Sequence, residues 1–195
     1  LLFRGTETML DEPAEGAKWK LGYGKASILP KDFGEKKYAK GAYLPYVFGD
    51  AMYTDEDGQE EDLMARAIVM DDGSGRGKVV FIALDAMGFA NADVRLIREA
   101  VADFAEENNI VSINVSGTHI HTGIDSQGVW TDPVGVIFNN ILGQDVKYGV
   151  DRSFIDSVVA GSKKAVEDAL KDMTEGDLYY SSIDIGDYVW YRTAP

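Results

Sequence analysis

The sequence predicts an α/β fold: a mixed, partly parallel sheet with flanking helices. Three observations predict it. The apolar run Val79-Val80-Phe81-Ile82-Ala83-Leu84 is followed by a helix-spaced stripe over 91–107 and a second apolar run over 110–116. Strand, helix and strand in that order form a βαβ unit over residues 79–116, which places two parallel strands side by side. Shorter segments with strand-like alternation, and an amphipathic helix over 153–173, supply the rest of the sheet and its cover.

Each element has its own warrant. Residues 1–17 are polar, with Pro13 and Gly16, and read as an irregular lead-in. Over 19–29, Trp19, Leu21 and Tyr23 alternate with Lys20, Gly22 and Gly24, as in a half-exposed strand. The two glycines mark a bulge or a close backbone approach, and Pro30 ends the strand. Residues 31–42 read as a loop, and the aromatic-rich 42–48, with Pro45, as an edge strand or ordered loop. The acidic run over 50–62 reads as a solvated loop. Asp55-Glu56-Asp57-Gly58 lacks the spacing of a calcium loop.

Segments 63–70 and 78–84 are strands joined by the glycine-rich 71–77, a flexible hairpin loop. The second is apolar throughout, the pattern of a strand covered on both faces. Over 91–107, Val94, Ile97, Val101 and Phe104 or Ala105 share a helical stripe, with Asn91 as N-cap and Asn108-Asn109 as the stop. Residues 125–148 read as a long loop with a helical turn or two over 134–142. The helix over 153–173 buries Phe154, Val158, Val159, Ala165, Val166, Ala169 and Leu170. Ser153 and Asp156 resemble a capping box, and Gly176 closes the segment. Two further strands, 178–185 and 188–192, flank Gly186-Asp187.

Length, 195 residues, suits a single α/β domain over 1–195, and the 45% apolar content supports a core. With 33 acidic against 19 basic residues the net charge is −14, a surface that repels nucleic acid and anionic membranes. The absence of cysteine excludes disulfides, thiolate metal sites and a thiol nucleophile. No apolar run approaches the ~20 residues of a membrane span. The chain starts at Leu1 and stops at Pro195 directly after an apparent strand, which reads as a processed start and a fragment of something longer. Oligomeric state is not legible.

The chemistry concentrates in Ser116-Gly117-Thr118-His119-Ile120-His121-Thr122-Gly123. The chain has two histidines, and both are here. If the strand extends through Ile120, alternation turns both rings to one side and Ile120 to the other. Ligands of open α/β sheets bind beyond the C-terminal strand ends, so Asp85, Thr118, His119 and His121 are expected at one rim. Three readings of the pair stay open: a metal site, acid–base work without metal, and rings that merely hydrogen-bond in a turn. The small neighbours Gly117, Thr118, Thr122 and Gly123 leave room for a ligand. Asp85 could ligate metal, orient a histidine, or simply serve the turn. Ser116 or Ser126 as a hydrolase nucleophile lacks a Gly-x-Ser-x-Gly elbow. The glycines at 22–24 and 73–77 lack the strand-to-helix context of a nucleotide loop. Arg192, within Tyr188-Val189-Trp190-Tyr191-Arg192, could hold a carboxylate or oxyanion, or form a surface salt bridge.

The segment 116–125 resembles the Thr-His-Thr-His-Ser-Gly-Pro motif of neutral (non-lysosomal) ceramidases and their bacterial relatives. Gly22 to Pro30 resembles their opening Gly-x-Gly-x-x-Asp-Ile-Thr-Pro. Arg66-Ala67 followed by Val79 to Asp85 resembles the strand pair before the first helix, and Tyr191-Arg192 resembles a later Asn-Arg. The histidine stretch is the specific part. Ile120, Thr122 and Ile124 depart from the motif, as do Ser27 and Tyr191 from the flanking patterns.

The resemblance implies the N-terminal part of a larger catalytic α/β domain that hydrolyses an amide (N-acyl) bond of a lipid or small molecule with zinc. It implies His119 as a zinc ligand, with His121 and Arg192 as catalytic residues at the substrate; Asp85 and Thr118, expected at the same rim, are the candidates to support them. It also implies that the remaining ligands, a histidine, a glutamate and a tyrosine, come later in the chain than this sequence reaches. The alternative is a binding module that keeps the fold with an incomplete metal site. The resemblance, with the missing initial Met, points to an extracytoplasmic or secreted protein.

Overall fold

The computed structural model describes residues 15–33, 63–121, 123–128, 141 and 152–186. The expectations for 1–14, 34–62, 134–140 and 188–192 lie outside these residues, as do Thr122 and Arg192. The described elements are β1 (Trp19–Ser27), β2 (Met64–Asp71), β3 (Lys78–Leu84), α1 (Asn91–Ala100), α2 (Ala102–Glu107), β4 (Ile110–Gly117), α3 (Arg152–Lys171) and β5 (Thr174–Gly176). One mixed sheet runs in the order β4-β3-β2-β1-β5. β3 and β4 are parallel, and every other pairing is antiparallel. This is the α/β class with the expected βαβ unit.

The core lies between the sheet and the helices. Val80, Ile82 and Leu84 of β3 point into it, as do Ala65, Ala67 and Val69 of β2. Ile97, Val101 and Ala105, spaced by four, close it from the crossover. α3 lies on β1 and β2 and touches α1. It buries Phe154, Val158, Ala165, Val166 and Ala169, with Val159 and Leu170 packed at the margin, as its stripe predicts.

α3 decides how β1 faces. A Cβ on Gly22 would stand 1.9 Å from the Ala169 carbonyl oxygen, and one on Gly24 2.1 Å from that of Ala165. The glycines therefore form the inward face, opposite Val69 and Ala67 of β2. Leu21 and Tyr23 are turned to the open side. Of the two meanings that the glycines allowed, close approach is the one realised.

Several local expectations are corrected. Among the described residues β3 is covered on one face, since Phe81 is 49% exposed and the neighbouring Ile68 and Tyr23 are also exposed. An all-apolar strand does not reveal whether its second face has a cover. The crossover helix breaks at Val101 (φ −103°, ψ 0°), where the bridge-region backbone keeps the β-branched side chain in the core. Asn91 is the first helical residue, and Ala90 holds the N-cap position with no side-chain cap. Asn109 does end α2, in the left-handed region at φ +52°, while the Asn108 side-chain amide donates to the Phe104 carbonyl. Asp156 pairs with Arg152 rather than closing a box with Ser153, because α3 already begins at Arg152. Residues 178–185 form no strand, and Tyr179, Tyr180 and Ile183 stand exposed. Strand propensity is expressed only where a pairing partner exists. The pairing here goes instead to Thr174–Gly176, which takes the edge against Trp19, Lys20 and Leu21.

Candidate functional site

β3 and β4 end level with each other, with Leu84 opposite Gly117. Antiparallel β2 begins at that same end, so three elements converge on one rim. The chain after each parallel strand stays zipped for one more step. The Thr118 amide donates to the Leu84 carbonyl (2.9 Å), and the His119 amide donates to the Ala86 carbonyl (3.0 Å). Gly117 permits this closeness, because a Cβ there would sit 2.9 Å from the Ala86 oxygen.

Asp85 is the anchor of the rim. Its Oδ2 accepts from Arg66 Nη1 (2.6 Å) and from the Met64 amide (3.1 Å), and its Oδ1 accepts from Thr118 Oγ1 (3.3 Å). The side chain is 16% exposed, so its charge is largely answered by Arg66 and these hydrogen bonds. Both oxygens are thus engaged within the protein, and Thr118 links Asp85 to the residue next to His119. Arg66 reaches the rim because β2 runs antiparallel to β3, a contact that local sequence does not display.

The two histidines meet at the rim by a route other than strand alternation. β4 ends at Gly117, and His119 adopts the left-handed region at φ +64°. The rings nevertheless come together edge to face, with centroids 4.9 Å apart and planes at 84°. Ile120 packs against the core. His119 is exposed and His121 half-buried. His119 Nδ1 lies 2.8 Å from the Met87 carbonyl oxygen. A carbonyl only accepts, so in the neutral ring the proton resides on Nδ1 and Nε2 keeps its lone pair. An imidazole oriented in this way through a backbone carbonyl is the form that binds a metal ion.

The donor chemistry fits zinc at His119, and His121 stands beside it. Among the described residues, no group of three or more His, Asp and Glu side chains gathers to hold a metal ion. Catalytic zinc typically takes three protein ligands. Further ligands would have to come from outside the described residues.

Ser126 is not a nucleophile aimed at the rim. It is fully buried, and its Oγ donates to the Gly88 carbonyl at 2.5 Å. Asp125, also buried, caps the turn that follows by accepting from the amides of Gln127 (2.9 Å) and Gly128 (3.0 Å). The Asp-Ser-Gln-Gly order at 125–128 carries this turn chemistry, and it is the signal by which that loop could have been located. The 86–88 backbone, whose carbonyls hold the rim, has no such signal.

Among the described residues no helix is long and apolar enough to cross a membrane. No curated protein matches this chain. Solved structures similar to this chain include a ceramidase complexed with C2, at 16% identity and a TM-score of 0.48, and neutral ceramidase from Pseudomonas aeruginosa, at 17% and 0.49. Each similarity covers 82% of this chain and 22% of the other, so the chain spans about a fifth of the length of those proteins. The family model described as neutral/alkaline non-lysosomal ceramidase, N-terminal, matches residues 49–194, a span that includes β2 to β5, both histidines and the whole rim. The chain therefore belongs to the neutral/alkaline non-lysosomal ceramidase family, in its N-terminal region.

Proposed function

We propose that this chain supplies the histidine side of a ceramidase-like hydrolase site that cleaves the amide (N-acyl) bond of a lipid or small-molecule substrate. The observation that carries this reading is the oriented His119 ring, its Nδ1 donating to the Met87 carbonyl and its Nε2 left with a lone pair, beside His121. His119 would hold zinc through Nε2. The chemistry that zinc would supply there is Lewis-acid polarisation of the carbonyl and activation of water. His121, in ring contact with His119, takes the acid–base role at the substrate. Arg192 takes the role of holding the substrate near its carbonyl, a role that rests on family likeness. Asp85 and Thr118 support the turn that presents His119. Placement outside the cytoplasm is part of the same proposal, resting on the family.

The test is hydrolysis of a short-chain N-acylated amino alcohol by the full-length protein, with chelator and with zinc restored. The proposal expects turnover that chelator abolishes and zinc restores, and that falls about 10²–10⁴-fold in His121→Ala. Turnover indifferent to chelator would support metal-free acid–base chemistry instead. Absence of turnover, with an intact fold, would support the binding module instead.

A further inference from the structure

Three consecutive carbonyls, those of Ala86, Met87 and Gly88, all point at the loop that carries the histidines. Ala86 O accepts the His119 amide at 3.0 Å, Met87 O faces His119 Nδ1 at 2.8 Å, and Gly88 O accepts Ser126 Oγ at 2.5 Å. The orientation of the His119 ring thus depends on where the Met87 carbonyl points. The next residue is glycine, whose backbone would otherwise leave that peptide free to turn. Ser126, with 0% exposure, pins the peptide immediately beyond it. Ser126 is itself fixed by the Asp125 turn.

We infer that Ser126 is a positioning residue: through Gly88 it fixes the Met87 carbonyl and so holds His119 in the Nδ1–H form with Nε2 presented at the rim. This rests on the reading of His119 as a metal ligand, but the two can fail separately. Ser126 touches neither histidine among the contacts described, and its role is distinct from that of a nucleophile.

The test reads the His119 tautomer by long-range nitrogen–proton NMR on the metal-free full-length protein. Wild type is expected to show His119 as the Nδ1–H tautomer. Ser126→Ala is expected to give a mixture of tautomers and about tenfold weaker binding of zinc chloride. Ser126→Cys keeps the side-chain shape with a somewhat larger and weaker donor and should move the tautomer the same way by less, which serves if the alanine variant does not fold. Ser162→Ala, at a buried hydroxyl within α3, controls for general loosening and should leave the tautomer as in wild type. An unchanged His119 tautomer in both Ser126 variants, or an equal change in Ser162→Ala, overturns the inference. A tautomer change in protein that binds no zinc would sustain the positioning role and remove the metal reading.

Discussion

His119 holds a backbone conformation that L-residues avoid, at φ +64°, while its amide and its ring are both tied to the 86–87 backbone. A left-handed L-residue costs roughly 1–2 kcal/mol. Such strain persists only where the surroundings enforce it, and it concentrates at functional sites. A comparison of two substitutions isolates the strain, because both remove the imidazole. His119→Gly should be more stable than His119→Ala by about 1 kcal/mol in urea unfolding. Equal stability would mean that the left-handed turn does not survive loss of the ring. The sequence made the meeting of two rings at one rim legible, but through strand alternation. The actual cause is a turn that His119 enters at positive φ, and no residue type announced it, since glycine is the usual marker and Gly117 lies two positions earlier. The roles of Arg66 and Ser126 stayed hidden for a related reason: each acts through a contact distant in sequence.

The elements show the same division between what is local and what is not. The β2–β3 hairpin was legible from its strands and glycine-rich connection. Its loop is organised by Asp72, which accepts from Ser74 and Arg76. The Ser74 hydroxyl, followed by the Ser74 amide and Arg76, draws the Asp72 carboxyl down from 3.8 to about 2 against an opposing effect of burial. The native carboxyl thus binds its proton less readily than the unfolded one. Its stabilising contribution is complete above pH 3.8 and disappears as pH falls toward about 2. Ser74→Ala should therefore cost stability at neutral pH, and the gap to wild type should narrow between pH 4 and 2. A gap constant across that range would contradict this account of the loop. For β1 and α3 the decisive contact is backbone against backbone. Gly22→Ala would put a methyl within 1.9 Å of the Ala169 carbonyl oxygen and should destabilise by about 3 kcal/mol, read as a lowered midpoint in thermal unfolding. The glycines allowed a bulge or a close approach without saying which, because the partner helix lies more than a hundred residues later.

Across the whole molecule, the sheet carries its helices on one face among the described residues. Phe81 and Ile82 are neighbours in β3 with opposite fates, one 49% exposed and the other 1%. Ile82→Ala should cost about 3 kcal/mol, and Phe81→Ala about 1 kcal/mol or less despite the larger side chain. The reverse order would mean that the open face is packed in solution. The α/β class and the parallel β3–β4 pair were legible because periodicity and chain order determine them. The covering of faces and the fate of 178–185 were not, because they depend on what else packs or pairs there. The site inherits this: its rim is a product of topology, while the chemistry proposed for it turns on how one imidazole is held. Zinc binding measured by titration calorimetry on the full-length protein prepared without chelator, wild type beside His119→Ala, tests that most directly. One equivalent bound by wild type and lost in the variant is the predicted result. No binding by wild type, or equal binding by both, would contradict it.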